Sequence, residues 1–384
     1  MTTIDDYAQN KLSQLEERGL RRSLKGTDRF SATGAKRRGR ELISFCCNDY
    51  LNMSHHPDVI AAANTGTSMY GTGSGGSRLI SGDTTLYEYL ESGLAAFKGT
   101  EAALVFGSGY LANIGVIPCF VGPGDLIIAD ELNHACLFAG GKLSGATTHT
   151  YAHGDVAACR DLLQQHRTGA GNCLIISDGV FSMDGDIAPL SELSTLAHEF
   201  NAWLLVDDAH GFGVLGAGKG SVYAAQTPHP VHLQIGTLSK AAGAYGGYLC
   251  ASKAVIDLVT NRARSFVYST GLPPGTLSAA IAAIDIMATE TEICYRPVTN
   301  AEYFCDKLNL PKPQSPVVPL LLGDADRVMQ ASTDLEAHGY LVTGIRPPTV
   351  PEGTARLRFT FTAEHTTDDI DGLVEAIRTL GLAP

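Results

Sequence analysis

Lys240 is the residue in this sequence whose setting best suits covalent chemistry. It ends the stretch Thr-Leu-Ser-Lys at 237–240, which follows an apolar run at 233–236 and precedes a small-residue run at 241–247. A lysine held between a strand end and a close-packed glycine loop reaches bulk water poorly, and a desolvated ammonium loses proton affinity. Such an amine is suited to Schiff-base chemistry. Taken alone, however, the stretch is more typical of a solvated surface turn.

Further polar residues lie upstream, each after an apolar run. Asp207 and His210 follow the run at 203–206, and Asn133 and His134 follow the run at 126–129. Taken singly, Asp207 is as well explained by a helix N-cap, and each histidine by a buried structural role. These residues therefore gain meaning only in combination.

Residues 107–112, Gly-Ser-Gly-Tyr-Leu-Ala, follow a predicted strand and begin a predicted helix. Backbone N–H groups at such a turn point to one spot, and the helix dipole favours an anion there. The same spacing fits a dinucleotide fingerprint, with Asp130 about 20 residues on as the ribose-binding acid. A phosphate site, a dinucleotide site and a packing turn all stay open. The glycine-rich stretches at 71–76 and 213–219 lack the strand, or the Ser/Thr, that a nucleotide site needs.

Pyridoxal phosphate accounts for more of these residues than the alternatives do. The cofactor needs a Schiff-base lysine, a phosphate-binding turn, an acid against its pyridine nitrogen and contacts to its ring. Lys240, the turn at 108–110, Asp207, and His134 with His210 can supply these from one sheet edge. An NAD-dependent dehydrogenase would leave Lys240 and Asp207 without roles. The sequence contains no H-E-x-x-H cluster and no G-x-S-x-G elbow, so we expect neither a catalytic metal nor an α/β-hydrolase.

The order of the predicted elements explains how these residues could meet. Helices alternate with short apolar strands from about residue 85 to 250, and the strands are predicted at 102–106, 126–129, 147–151, 173–177, 203–206, 233–236 and 247–251. Such strands form mostly parallel sheets with helices on both faces, and ligands bind beyond their carboxyl ends. Asp178, Asp207, His210 and Lys240 each follow a strand. We therefore predict an α/β fold.

We predict three parts along the chain. An N-terminal arm, 1–48, contains an amphipathic helix at 5–25 and a basic, polar linker at 28–40. A large cofactor-binding domain spans 49–285. A small α+β domain spans 286–384, with strands expected at 317–322, 341–345 and 357–361.

Composition limits the classes of partner. The 384 residues carry a net charge of -12, which disfavours nucleic acid and anionic membrane surfaces as partners. Nine cysteines without a C-x-x-C pair indicate reduced, buried thiols. The N-terminus resembles no signal peptide, and no apolar run approaches the roughly 18 residues of a membrane span. We expect a soluble, cytoplasmic protein.

Three motifs make the sequence similar to a known family. Residues 179–186 (Gly-Val-Phe-Ser-Met-Asp-Gly-Asp), 206–211 (Val-Asp-Asp-Ala-His-Gly) and 237–240 resemble those of the α-oxoamine synthases. These are fold-type I pyridoxal-phosphate enzymes that join an amino acid to an acyl thioester with loss of carbon dioxide. The resemblance runs from about residue 12 to the C-terminus. A non-catalytic relative is improbable because the full set of cofactor groups is present.

The stretch 345–358, with a double proline after Arg346, is most similar to the family members of biotin biosynthesis. These use L-alanine and a pimeloyl thioester carried on coenzyme A or on a carrier protein. Members that use glycine with acetyl-CoA, or serine with a long-chain acyl-CoA, are the alternatives. Asn52 and Ser239 replace glycines common in the family, and Asp178 replaces a frequent glutamate. The family also implies a homodimer with shared active sites.

The resemblance assigns roles residue by residue. Lys240 would bind the cofactor aldehyde and act as acid and base, and Asp207 would pair with the pyridinium nitrogen. His134 would stack on the ring, beside the substrate, and His210 would bond the phenolic oxygen. The remaining cofactor contacts would be Ser182, Ser108, Gly109, Tyr110, Thr237 and, from a neighbouring subunit, Thr270. The substrate contacts would be Arg346, at the amino-acid carboxylate, with Arg21, Asn48 and Thr349 along the path.

Overall fold

The computed structural model describes residues 2–383. Its N-terminal helix is shorter than the sequence analysis predicts. Helix α1 covers Ile4–Glu17, not 5–25, and none of its side chains within this described range is buried. Gly19 has a φ of +63°, and the N–H of Leu20 donates to the carbonyl of Leu15 at 2.7 Å. A glycine in this left-handed conformation closes the helix end, so the basic residues beyond it lie outside the helix.

Residues 28–44 form a three-stranded antiparallel hairpin. The prediction of a linker at 28–40 was wrong. Strands β1 (Asp28–Arg29), β2 (Gly34–Arg37) and β3 (Arg40–Ser44) pair antiparallel. The tight turn between β2 and β3 uses Arg38 and Gly39, with φ values of 50° and 81°, as hairpin turns of this kind require. Only Ala35 and Leu42 of the hairpin join its small core. Because β2 and β3 each bury one apolar residue and β1 buries none, the basic residues around them hid the strand pattern.

A sheet of seven strands forms the centre of the described chain. Helices α2 (Pro57–Tyr70) and α3 (Thr85–Lys98) precede it. Its strands are β4 (Ala102–Phe106), β5 (Leu126–Asp130), β6 (Thr147–Tyr151), β7 (Cys173–Asp178), β8 (Trp203–Asp207), β9 (Leu233–Thr237) and β10 (Gly247–Ala251). The spatial order is β4-β10-β9-β8-β7-β5-β6, and only β10 runs antiparallel to its neighbours. The predicted mostly parallel sheet is confirmed.

Helices cover both faces of this sheet, as predicted. They are α4 (Gly109–Phe120), α5 (Ala135–Ser144), α6 (Val156–His166), α7 (Leu190–Glu199), α8 (Ser221–Ala225), α9 (Lys253–Arg262), α10 (Arg264–Val267) and α11 (Pro274–Thr289). Ile127 and Ile176 point into the core shared with α4, whereas their neighbours Ile128 and Ile175 point into the core shared with α6 and α7. Burial on both faces explains why the strands read as unbroken apolar runs.

The C-terminal residues form a second unit, in which helices pack on an antiparallel sheet around a separate core. Its elements are α12 (Glu292–Leu308), β11 (Val317–Gly323), α13 (Ala325–Ala337), β12 (Tyr340–Leu341), β13 (Thr343–Ile345), β14 (Ala355–Thr360) and α14 (Thr367–Thr379). The strand predicted at 341–345 is split. β12 pairs parallel with β3 of the hairpin, whereas β13 pairs antiparallel with β14. The division at 48/49 and 285/286 stays a prediction. No helix in residues 2–383 combines the length and the apolar character needed to cross a bilayer.

His365 gives this unit a pH-dependent stability. Its ring stacks on Phe45 at 4.1 Å, accepts the N–H of Thr362 at 3.0 Å and contacts the carbonyl of Ser44 at 3.0 Å. Burial lowers the pKa of His365 to about 4. The unfolded chain, whose histidine pKa is near 6.5, binds this proton more readily, so stability falls as pH drops from about 6.5 to 4 and is flat below.

We expect this group alone to remove roughly 3 kcal/mol of unfolding free energy between pH 7 and pH 4. Urea titrations at pH 4, 5, 6 and 7 measure the effect. His365→Gln should flatten the slope, whereas His338→Gln, at an exposed histidine, should keep it. An unchanged slope in His365→Gln would refute this account.

Candidate active site

The carboxyl ends of the central strands enclose a cavity of about 250 Å³. Strand-end loops and the first residues of α4 and α5 build its wall. The cavity is lined by the sequence-predicted residues Ser108, Gly109, Tyr110, His134, Ser182, Asp207, His210, Thr237 and Lys240, together with Cys136, Asp178 and Ala209. Segments more than 100 residues apart in the sequence therefore meet here, as expected at the carboxyl edge of a parallel sheet.

Lys240 follows β9 and lines the cavity. Burial lowers the pKa of Lys240 to about 8, against the opposing attraction of the Asp207 carboxylate. The guanidinium of Arg358 lowers this pKa further. An amine with a pKa near 8 is neutral in a useful fraction of molecules at ordinary pH, which suits both nucleophilic and acid–base chemistry.

Asp207, the last residue of β8, is held by donors on both oxygens. The side-chain amide of Asn113 donates to Oδ2 at 2.7 Å, and the N–H of Ala209 donates to Oδ1 at 3.0 Å. Asp178 ends the neighbouring strand as its register partner and accepts the N–H of His134 at 2.8 Å. Burial, reinforced by Asp207, raises the pKa of Asp178 well above its usual value. One carboxyl of this pair is thus disposed to keep its proton.

His134 is the N-cap of α5, and its ring faces the cavity. Its Nδ1 accepts the N–H of Cys136 at 3.2 Å and lies 2.8 Å from the Cys136 sulfur. Burial lowers the pKa of His134. Because Nδ1 is used as an acceptor, the neutral ring carries its proton on Nε2.

His210 pairs with Tyr50, whose hydroxyl lies 2.6 Å from Nδ1. Burial lowers the pKa of His210 well below its usual value and raises the pKa of Tyr50 to about 12. The phenol therefore keeps its proton and donates it to Nδ1, which leaves His210 neutral with a proton on Nε2. This ring is fixed as a hydrogen-bond donor.

The start of α4 forms an anion cradle. The hydroxyl of Ser108 caps the helix by accepting the N–H of Leu111 at 3.1 Å. A Cβ added to Gly109 would lie 3.4 Å from Cβ of Thr237, so a side chain here would narrow the gap between the two segments. Since the first N–H groups of a helix have no partner within it, this end favours a phosphate.

Arg358 is a site residue that the sequence analysis did not single out. It is buried, its Nε donates to the carbonyl of Ser182 at 2.5 Å, and both terminal nitrogens lie 3.3 Å from Oδ1 of Asn48. Asn48, predicted to lie on the substrate path, is thereby fixed beside the cavity wall. The available signal was the alternation in 355–361, where Arg356, Arg358 and Thr360 alternate with apolar residues.

Three predicted substrate residues line a different, more open cavity. This second cavity, of about 640 Å³, contains Arg21, Arg346 and Thr349, with Arg22 beside them. Its remaining lining comes mainly from apolar residues, namely Leu12, Leu15, Leu20, Met329, Ile345, Pro347 and Pro348. Thr270 lines neither cavity and lies in a surface depression with Arg78 and Phe266. Its backbone forms an isolated antiparallel β-bridge with Ser77.

Asp130 is not available to a ribose. It is buried, and its oxygens accept the N–H groups of Leu132 and Gly154 at 2.9 and 2.8 Å. The ring of His153 lies 3.1 Å from the same carboxylate. Because these partners already occupy both oxygens, the geometry disfavours the dinucleotide interpretation of residues 107–112.

Comparisons with known proteins give one family and several near relatives. The family model "Aminotransferase class I and II" matches residues 40–377. An 8-amino-7-oxononanoate synthase of Granulibacter bethesdensis is 54% identical over 99% of this chain and 98% of that protein. A lysine-to-alanine variant of the serine palmitoyltransferase from S. paucimobilis, solved with a bound PLP–myriocin aldimine, matches with a TM-score of 0.90 at 29% identity over 98% of each chain. An 8-amino-7-oxononanoate synthase from Francisella tularensis gives 0.75 at 28% identity, over 88% of this chain and 98% of that one.

Proposed function

This chain belongs to the aminotransferase class I and II family, within its α-oxoamine synthase branch, and we propose that it acts as an 8-amino-7-oxononanoate synthase. It would join L-alanine to a pimeloyl thioester and release carbon dioxide and the free thiol, as part of biotin biosynthesis. The 54% identity to a synthase of this name, against 29% to a serine palmitoyltransferase, carries the proposal. The higher TM-score of the latter reflects a backbone shared across the branch, so we give identity the greater weight.

Pyridoxal 5′-phosphate fits the first cavity on the chemistry of its donors. When bound, this cofactor supplies an aldehyde that joins an amine and a ring that withdraws electrons from the carbon next to that amine. Lys240 would hold the aldehyde and Asp207 the ring nitrogen. His134 would lie along the ring, and the Nε2 proton of His210 would reach the phenolic oxygen. The phosphate would bind at Ser108, Gly109, Tyr110 and Thr237, with Ser182 as a further contact.

In this cavity Lys240 would transfer protons, and His210 with Tyr50 would orient the cofactor without taking part in proton transfer. Nζ of Lys240, with its pKa near 8, can accept the α-proton of bound alanine and later return a proton to the same carbon. His210 and Tyr50 stay neutral, so neither competes for that proton. The largely buried walls limit the access of water to the reacting carbon.

The second cavity suits the acyl substrate. Its apolar lining matches a methylene chain, and the guanidinium groups of Arg21 and Arg22 match an anionic group of the acyl substrate. Among residues 2–383, Arg346 has no carboxylate partner, so it can bind one from the substrate. Arg358, in contrast, already donates to Ser182 and Asn48. This difference supports Arg346 as the amino-acid carboxylate ligand.

We expect Arg346→Ala to raise the KM for alanine roughly tenfold to a hundredfold, because a charge-assisted hydrogen bond is lost. The affinity for PLP should not change. Steady-state kinetics with varied alanine and a spectroscopic PLP titration measure the two effects. Arg40→Ala, at an exposed arginine of the hairpin, is the matched control. If Arg346→Ala leaves the KM for alanine unchanged and Arg358→Lys raises it, Arg358 is the residue that binds the alanine carboxylate.

A homodimer is part of the proposal. Met69, Ile80 and Tyr268 are 70%, 84% and 73% exposed, and a second subunit could cover them. Thr270 is itself exposed, two residues from Tyr268, and it lies outside its own chain's cofactor cavity, as a residue serving a partner would. The nine free cysteines fit a reducing, cytoplasmic location.

Mixing two defective variants tests the shared site. Thr270→Ala should weaken PLP binding roughly tenfold through the loss of one phosphate hydrogen bond. In a heterodimer with Lys240→Ala, one active site should contain both an intact Lys240 and an intact Thr270, and the visible band of its lysine-linked cofactor should form with the wild-type PLP affinity. If sedimentation shows that dimers form on mixing but no lysine-linked site regains the wild-type PLP affinity, Thr270 lies outside the neighbouring site.

Substrate choice is tested directly. Alanine, glycine and serine are each combined with pimeloyl-, acetyl- and palmitoyl-CoA, and products are identified by mass. We expect alanine with pimeloyl-CoA to exceed each other pair at least about a hundredfold in kcat/KM, a difference of roughly 3 kcal/mol. Serine with palmitoyl-CoA, or glycine with acetyl-CoA, as the best pair would replace the proposal by a sister activity. A protein that stays colourless with PLP but binds NADH would overturn the enzyme class.

A further inference from the structure

Two carboxyl groups share the floor of the cofactor cavity. Asp178 and Asp207 end neighbouring parallel strands and are register partners. Both line the cavity and both are buried. Two carboxyls this close in a dry site do not both ionise readily, so one tends to keep its proton. The cavity therefore needs a feature that determines which of the two carries the charge.

Asn113 distinguishes the two carboxyls. It lies one turn into α4 and is 0% exposed, and its Nδ2 donates to Asp207 Oδ2 at 2.7 Å and to the carbonyl of Gly109 at 3.1 Å. The same nitrogen lies 3.2 Å from the Cys136 sulfur. The sulfur of Cys136 lies 3.9 Å from the same Asp207 oxygen. Asp207 thus receives the amide, the Ala209 N–H and a weak thiol contact, whereas the Asp178 side chain receives the single N–H of His134.

The orientation of the Asn113 amide is not interchangeable. Its Oδ1 is buried and has no hydrogen-bond partner among residues 2–383. A flipped amide would set that oxygen against the Asp207 carboxylate and the Gly109 carbonyl, and would lose both donations. Oδ1 of Asn113 thus has no hydrogen-bond partner in the described residues, whereas Nδ2 donates to the Asp207 carboxylate and to the Gly109 carbonyl. A buried bare carbonyl is unfavourable, and donation to a charged acceptor is the stronger kind of bond that offsets it.

We propose that Asn113 is a positioning residue that makes Asp207, and not Asp178, the ionised member of the pair. Asp207 is then the carboxylate available to the cofactor ring nitrogen, and this inference rests on the proposed function. Asp178 serves as a neutral acid, with Oδ2 accepting from His134. The other titratable groups that face Asp207 are Lys240, His134, Cys136 and Tyr248.

The test measures PLP affinity from pH 6 to pH 9 by spectroscopic titration, without turnover. Asn113→Leu removes the donor at similar size and should weaken PLP binding at least tenfold at every pH. Asn113→Asp should bind PLP nearly normally at pH 6, where its own carboxyl can be protonated and donate, and at least tenfold more weakly at pH 9. Asn300→Leu controls for general destabilisation. It loses the two hydrogen bonds that the Asn300 amide donates to the carbonyls of Thr362 and His365, outside the cavity lining, and it should keep the wild-type PLP affinity.

A second comparison does not depend on α4. Asp207→Asn should weaken PLP binding more than thirtyfold, and the loss in Asp178→Asn should be at least about tenfold smaller, because there an amide replaces a carboxyl that is already neutral. Equal losses in the two variants, or wild-type PLP affinity across the pH range in Asn113→Asp, would overturn the inference. Failure of the wild-type protein to bind PLP at any pH would instead refute the proposed function.

Discussion

Lys240→Ala should lose at least about 10⁴-fold in turnover, because it removes the amine that lines the proposed active site. Within residues 2–383, Lys240 is the sole lysine that lines the cavity. PLP should still bind, since Ser108, Asp207 and His210 remain, but the visible band of the lysine-linked cofactor should be absent. Absorbance and single-turnover product formation measure the two effects separately.

Lys142→Ala is the matched control for this substitution. Lys142 lies in the last turn of α5, a helix whose N-cap His134 lines the cavity, but its side chain is exposed. This variant should retain the wild-type spectrum and rate. A Lys240→Ala protein that keeps both the band and the rate would mean that another group carries the chemistry.

Lys98→Met should cost 3–5 kcal/mol of unfolding free energy, since it leaves the Asp208 carboxylate buried without a cation. The two side chains are 1% and 0% exposed, and Nζ of Lys98 lies 2.8 Å from Asp208 Oδ2. Oδ1 of Asp208 accepts both the N–H and the hydroxyl of Ser221, at 2.9 and 2.7 Å. Lys98 closes this network by also donating to the carbonyl of Lys219 at 2.5 Å.

Chemical unfolding monitored by fluorescence and circular dichroism measures this cost. The double variant Lys98→Met/Asp208→Leu should recover part of it, because no unpaired charge remains. Lys307→Met, which breaks an exposed pair with Asp371 at 2.9 Å, should leave the unfolding midpoint nearly unchanged. If Lys98→Met were as mild as Lys307→Met, the buried pair would not stabilise the fold. Because Asp208 directly follows Asp207, we also expect weaker PLP binding in Lys98→Met.

The sequence identified the residues at the strand ends because the strands are apolar and short. A run such as 233–237 is buried on both faces, so its limits are visible as a change of polarity, and Lys240 follows at once. Parallel topology then brings the strand ends to one edge without further information. The same reasoning placed Asp207, His210 and His134 correctly in one cavity.

The sequence could not show which side chains hold those residues in place. Tyr50 reaches His210 across 160 residues, and Asn113 reaches Asp207 across 94. Neither position carries a local pattern, since both pairs form only when separate helices and loops pack. Arg346 was expected at the amino-acid carboxylate, and Arg21 and Thr349 along the substrate path, through resemblance alone; the three residues line the second cavity.

The pairing of β3 with β12 has a consequence for how the protein is made. Residues 43 and 340 are Cα partners in this pairing, and Arg37 also forms an ion pair with Glu336 at 2.9 Å. On a ribosome that adds roughly 5–20 residues per second, the first segment emerges tens of seconds before its partner strand exists. During that interval the edge of β3 is open to other chains, and the charged side chains around it are the nascent protein's protection against premature association.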